Sequence, residues 1–378
     1  MPPAPPLARI LAHLEALVAF PTVSSESNLE LIAHVRAHLA ACGFAVTEIA
    51  AAGAPKAGLL ARIGPQGGVL LSAHSDVVPV AGQSWSLAPF ALTRRGGRVH
   101  GRGTTDMKGF LAVVLALAEG FAAAPPARGV ALALSWDEEV GCRGIAELAP
   151  HVTRVLGRPD LVIVGEPSRM RPARAHKGKV SYRATARGEA GHSASAPAFR
   201  NALHPAAELI LAIRAEQAHL SAAGAQDPSQ VPPSSTIHAG VMRGGSALNI
   251  VPDSADVLFE IRHLAEEAPE EILERMLARL APEARAALEV EETGRYPGLA
   301  ADLAHPAFAP LLAALPDPRP TAIAFGTEAG AFAALGLPTV VCGPGTMDDG
   351  HQPDESIEVA ELALCGAVLA RLVGAQPG

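Results

Sequence analysis

Five short stretches of this chain are almost wholly apolar: Leu59 to Ile63, Val69 to Ala73, Val130 to Trp136, Leu161 to Val164 and Thr339 to Cys342. Runs of this length are too short for core helices. A strand that is apolar on both of its alternating faces has to be covered on both. Longer stretches with helical apolar spacing lie around and between them: Leu7 to Phe20, a segment from Ser25 to a stop at Gly43, Lys108 to Phe121, and Ile145 to Val155. Buried strands alternating with helices predict an α/β fold, with a mostly parallel sheet covered by helices on both faces.

From about Lys179 to Glu291 the texture changes. Val180 to Arg187, Thr236 to Met242 and Asp256 to Arg262 alternate apolar and polar residues, whereas Ala202 to Gln217 and Pro269 to Leu280 have helical spacing. Strands of that kind bury one face and expose the other, so this stretch reads as a small α+β unit. The buried-strand pattern resumes near Thr321 to Phe325 and at Thr339. The expected organisation is a larger domain of residues 1–178 and 292–378 with residues 179–291 inserted. A length of 378 residues suits two hydrophobic cores better than one.

Composition narrows the function classes. The net charge is -8 and no Lys/Arg-rich block occurs, which argues against nucleic acid as a partner. The cysteines Cys42, Cys142, Cys342 and Cys365 lie far apart with no C-x-x-C pair, so neither a disulfide framework nor a thiolate zinc cluster is expected. Arg9, His13 and Glu15 interrupt the first apolar helix and spoil it as a signal-peptide core. The apolar stretch Phe110 to Ala118 is far shorter than the ~20 residues of a membrane helix. The expectation is a cytoplasmic protein without a membrane partner.

Polar chemistry gathers where the apolar runs end. His74 and Asp76 follow the second run, Asp137, Glu138 and Glu139 the third, and Glu166 the fourth; the fifth leads through Gly343-Pro344-Gly345 to His351. In open parallel sheets the carboxyl ends of the strands form the binding crevice. Three adjacent acidic side chains after an apolar strand repel one another and need counter-charge, which a divalent metal supplies. Residues two apart in an extended segment point the same way, so the Asp76 side chain can hold the His74 imidazole by its second ring nitrogen. The glycine-rich loop Gly101 to Gly109 presents Asp106 just before a helix, where it could also serve as an N-cap. Other histidines, among them His13, His34, His38 and His263, read as background.

His74-Ser75-Asp76, the Gly101 to Gly109 loop, Asp137-Glu138-Glu139, Gly165-Glu166-Pro167-Ser168 and the late His351 together resemble the M20 family of metallopeptidases and amidohydrolases. The likeness runs from about residue 7 to residue 373. It implies a zinc aminopeptidase-like catalytic domain with an inserted ferredoxin-like lid and dimerisation domain. It also implies two divalent metal ions, zinc or cobalt: His74, Asp106 and Glu166 on one, and Asp106, Glu139 and His351 on the other. Glu138 would be the general base and Asp76 a catalytic partner of His74. His192, in Gly191-His192-Ser193, would stabilise the oxyanion in a partner subunit's site, making the protein a homodimer. Asn249 and Arg262 match substrate-binding positions.

Within the family, Phe325 to Gly330 with Gly343-Pro344-Gly345 and His351 to Glu355 resembles the acetylornithine deacetylase branch. The expected reaction removes the acetyl group from N2-acetyl-L-ornithine, in arginine biosynthesis. Glu328 is the expected partner of the substrate's side-chain ammonium. Broader N-acyl-amino-acid hydrolases, succinyl-diaminopimelate desuccinylases, dipeptidases and a catalytically inactive relative stay open at this point, all taking a small N-acyl or peptide-like molecule.

Overall fold

The computed structural model describes residues 4–123, 126 and 128–374, and the chain divides into two compact units. The first runs up to Ala175, takes in Ala301–Ile323, and continues from Thr327. The second comprises His176–Ala300 and Ala324–Gly326.

In the first unit the apolar runs become the strands of one sheet. Its order is Ala45–Ala50, Ala57–Ile63, Val130–Ser135, Val69–His74, Leu161–Pro167, Thr339–Gly343 and Ala173–His176. The central strand Val69–His74 is parallel to both neighbours, and Leu161–Pro167 is parallel to Thr339–Gly343; the two strands at the Ala45 edge run antiparallel. Both faces are covered. Leu71, Leu132, Leu134, Ile163 and Val340 pack with helices Leu7–Val18, Leu29–Ala41, Lys108–Ala123 and Val359–Gly374. Residues of opposite parity, such as Leu70, Ala133 and Val162, are equally buried, as period-two alternation requires of a sheet sandwiched between helix layers. Helix Arg143–Leu156 packs on strands Ala57–Ile63 and Val130–Ser135 through Ile145, Leu148 and Val152. The strand expected over Thr321 to Phe325 shrinks to Thr321–Ala322, one short parallel rung beside Ala173–His176.

Two glycines let the strand ends close up. A methyl group on Gly343 would lie 1.9 Å from the Gly165 carbonyl oxygen, and one on Gly165 would meet the Phe110 ring at 2.1 Å. Only hydrogen fits at these positions.

The second unit is a four-stranded antiparallel sheet in the order Thr236–Gly244, Ser254–His263, Gly178–Arg187 and Leu288–Tyr296. Taken in chain order the strands lie 2-3-1-4, the arrangement of a β-α-β-β-α-β unit. Ser254–His263 alternates strictly between buried and half-exposed positions. Its buried set, Val257, Phe259 and Ile261, packs with Leu209 and Ile213 of helix Leu203–Ala223 and with Ile272 and Met276 of helix Pro269–Leu277. The boundary expected at Glu291 falls inside the strand Leu288–Tyr296, whose pairing with Gly178–Arg187 carries this unit past residue 291.

Candidate metal centre

The sheet register brings the polar groups together. His74 ends its strand opposite Ser135, so Asp137 to Glu139 begin just beyond that pair, and Glu166 lies in the neighbouring strand. Asp106 precedes helix Lys108–Ala123, and its peptide bond to Met107 is cis. His351 has a positive φ of 59°, as do Asp137 at 55° and Cys142 at 54°. Non-glycine residues occupy this left-handed region at a cost, and such positions concentrate where side chains must be aimed.

Asp106 sits between two imidazoles. Its Oδ1 is 3.0 Å from His74 Nε2 and its Oδ2 is 3.1 Å from His351 Nε2. His74 Nε2 is also 3.5 Å from Glu166 Oε1, and His351 Nε2 is 2.9 Å from Glu139 Oε2. One carboxylate therefore joins two donor groups. Glu138 offers an oxygen to the first: its ligand atom and those of His74 and Glu166 all lie within 4.8 Å of one another.

Burial and mutual repulsion make this cluster electrostatically expensive. Burial, then the Asp106 charge, raises Glu166 well above the carboxylate range and brings Glu139 to about 7. Glu138 is also raised well above it, by burial and by the charges of Glu139 and Asp106 against the pull of His74. Hydrogen bonds donated to the Asp106 and Glu139 carboxylates lift His351 to about 10. For His74, burial acts downward, but bonds to Asp106 and Asp76 prevail and raise it well above its usual value. The cluster thus collects protons as counter-charge, the role a divalent cation takes over in a metal site.

The donors fit such ions. Tetrahedral zinc with N and O ligands at ~2.0–2.2 Å holds its ligand atoms roughly 3.3–3.6 Å apart. The contacts around Asp106, from 2.9 to 3.5 Å, need little adjustment. The His74 tautomer fits as well: Nδ1 lies 2.9 Å from the Asp76 backbone carbonyl and donates to it, which leaves the Nε2 lone pair facing the carboxylates.

A match to the model of "Peptidase family M20/M25/M40" covers residues 70–375, a span that contains all of these groups. The chain is 35% identical to acetylornithine deacetylase of Myxococcus xanthus over 97% of both chains. To the acetylornithine deacetylase of Pasteurella multocida it is 31% identical, over 96% of this chain and 97% of the other. The chain belongs to peptidase family M20/M25/M40.

Solved M20 structures share the fold. An M20 family metallo-carboxypeptidase from Sulfolobus solfataricus superposes with a TM-score of 0.78 at 18% identity, covering 97% of this chain and 98% of that one. A Bacillus subtilis protein described as a dinuclear metal binding peptidase from the M20 family gives 0.68 at 15% identity, covering 97% of both. As an M20 protein the chain is a metal-dependent hydrolase.

Several contacts around the M20 centre have no counterpart in the sequence reading. The Asp76 carboxylate lies 3.5 Å from His74 Nδ1, so the shorter bond to that ring comes from the Asp76 backbone. The carboxylate instead accepts from Ser24 Oγ at 2.7 Å and from the backbone N–H groups of Glu138 and Glu139 at 3.1 and 3.3 Å. Asp137 is paired with Lys56 at 2.5 Å, so two of the three acidic side chains, not three, bear on the centre. Glu355 stands in the sequence only as the end of the His351 to Glu355 stretch, yet its two oxygens accept from the N–H groups of Gly103, Thr105 and Asp106 and from Arg102. It fixes the loop that carries Asp106.

Glu328 is enclosed, 2% exposed, with Oε2 3.5 Å from Ser72 Oγ and with no hydrogen-bond partner on Oε1 among the described residues. Burial brings its pKa to about 7. His192, Asn249 and Arg262 belong to the second unit. His192 is exposed, and its Nδ1 accepts from the Ala194 N–H at 3.1 Å, capping a short 3-10 turn. Asn249 is exposed, and its carbonyl accepts from the Ser193 N–H. Arg262 donates to Glu260 at 2.9 Å and to the Tyr296 hydroxyl at 2.6 Å, so its planar fork is already engaged.

Proposed function

We propose that this protein hydrolyses N2-acetyl-L-ornithine to L-ornithine and acetate, a step of arginine biosynthesis, at a centre of two zinc or cobalt ions. The observation that carries the hydrolytic reading is the Asp106 carboxylate, with one oxygen on His74 and the other on His351, beside the Glu138 carboxylate, which accepts from Cys142 Sγ at 3.1 Å. His74, Asp106 and Glu166 would hold one ion, and Asp106, Glu139 and His351 the other. Such a pair supplies Lewis-acid polarisation of the amide carbonyl and lowers the pKa of water.

The chain's own groups do the rest. Glu138 accepts the proton of the attacking water and passes it to the leaving amine nitrogen, so one carboxylate serves as base and then acid. Asp76 positions this base by binding its backbone N–H. His192, supplied by the second subunit of a homodimer, would stabilise the oxyanion. Asn249 and Arg262 would meet the substrate's polar groups, which for Arg262 requires exchanging its Glu260 and Tyr296 contacts.

The choice of acetylornithine is supported by the near full-length likeness to two acetylornithine deacetylases. Glu328 adds a physical reason, because a buried carboxylate oxygen without a partner is stabilised by an ammonium. Pairing requires its enclosed side chain to open. Metabolic placement makes the cytoplasm the expected location.

A substrate panel tests this reading: acetylornithine, succinyl-diaminopimelate, acetylmethionine and a dipeptide, each with the metal-loaded protein. Acetylornithine should give the highest kcat/KM, and Glu328→Gln should lower it at least tenfold relative to acetylmethionine. Preference for another member of the panel would contradict the substrate. An unchanged ratio in Glu328→Gln would contradict the role of that residue alone.

A further inference from the structure

Three of the histidines that read as background in the sequence lie on two helices that pack on, or close beside, a third. Helix Leu7–Val18 supplies His13, helix Leu29–Ala41 supplies His34 and His38, and helix Lys108–Ala123 supplies Glu119. His34, His38 and Cys42 follow one another at four-residue intervals, so they stand on one helix face. His13 Nε2 lies 2.8 Å from Glu119 Oε1, and the His13 and His38 rings meet edge to face with centroids 4.6 Å apart. Cys42 Sγ lies 3.7 Å from His38 Nε2. One ligand atom from each of His13, His38 and Glu119 falls within 4.8 Å of the others. None of these residues belongs to the centre around Asp106.

We propose that His13, His38, Cys42 and Glu119 form a binding site for one further zinc-class divalent cation. Two imidazoles, a carboxylate and the Cys42 sulfur, whose thiol burial and Glu119 hold protonated until an ion displaces the proton, make a borderline-soft set that suits zinc above magnesium or calcium. The spacing of the Cys42 sulfur from His38 Nε2 agrees: tetrahedral zinc with Zn–S of ~2.3 Å and Zn–N of ~2.0–2.1 Å puts sulfur and nitrogen roughly 3.5 Å apart. Burial pulls the His13 pKa down, against the Glu119 hydrogen bond that raises it, which favours the neutral imidazole that a metal ligand needs. His34 stands one turn before His38 with a buried Nε2 that has no hydrogen-bond partner among the described residues, a further donor within the same face.

Two contacts compete with the ion. His38 Nε2 lies 3.0 Å from the Leu115 carbonyl, so ligation moves its proton to Nδ1. Arg9 forks Glu119 through Nε at 2.9 Å and Nη2 at 2.5 Å, and its side chain is 54% exposed and able to swing away. The cation therefore replaces Arg9 as the counter-charge of Glu119 and ties three helices together.

The test counts metal by chelator-competition titration with Zn(II). If the centre around Asp106 holds two ions, the intact protein binds three, Cys42→Ser and His38→Ala bind two, and Asp106→Ala keeps one. If that reading of the centre fails, the intact protein still binds one equivalent more than Cys42→Ser. Affinity at the new site should rise several-fold in Arg9→Ala, where the competing cation is gone. With Co(II) the site should show sulfur-to-cobalt charge-transfer absorption that persists in Asp106→Ala and vanishes in Cys42→Ser. A metal count equal in the intact protein and Cys42→Ser, or an absorption band that survives Cys42→Ser, would overturn the proposal. So would weaker zinc binding in Arg9→Ala, because it would make Arg9 a support of the cluster and not its competitor.

Discussion

Individual residues acquire their roles here from what surrounds them. His176 is fully buried, and burial takes its pKa from 6.5 down to about 4. Between those values the unfolded chain binds a proton that the folded chain refuses, so stability rises with pH across the window and is lost as pH falls from 6.5 to 4. The shift is worth on the order of 3 kcal/mol. Denaturant melts of His176→Gln should therefore lose less stability over that range than the unsubstituted protein, and equal losses would contradict a buried neutral imidazole. The same dependence on surroundings limits what a sequence shows. His74, Glu139 and Glu166 can be read as one group because each closely follows, or ends, an apolar strand. The partners of Asp137 and Asp106 cannot: Lys56 lies 81 positions from the first, and Glu355 lies 249 from the second. The cluster of His13, His38 and Glu119 is hidden for the same reason, since its members meet only after three helices have packed.

Elements aim these residues. The parallel strands are legible because both their faces are apolar, and the strands of the second unit because they alternate. Loops are less so, since their geometry depends on distant hydrogen bonds. The loop Gly103 to Asp106 takes its shape from the Glu355 carboxylate, which holds three of its N–H groups. Glu355→Ala should leave the ligand set intact yet weaken metal binding by roughly 10–100-fold, the usual cost of losing a group that orients a ligand. Retention of full affinity in a metal titration would remove that function. The strand ends depend on glycine in turn. In Gly343→Ala the new methyl would collide with the Gly165 carbonyl, 1.9 Å away, and a loss of about 2–4 kcal/mol is expected. A thermal melt unchanged by this substitution would show that the two strands have room to separate.

Across the whole molecule, an M20 fold accounts for a hydrolytic centre at the strand ends of the first unit and a one-sided sheet in the second. Among the described residues no helix is long and apolar enough to cross a membrane. The extent of the insert follows from strand pairing and so could be placed from sequence only to within a strand. In the proposed mechanism the acidic run divides its labour, with Glu139 holding metal and Glu138 moving the proton. Metal content and acetylornithine turnover of Glu138→Gln, measured beside Asp106→Ala, test it most directly. Glu138→Gln should keep both ions and lose hydrolysis by about 10²–10⁴-fold, while Asp106→Ala loses metal as well as activity. Equal metal loss in the two variants, or near-normal turnover in Glu138→Gln, would contradict it.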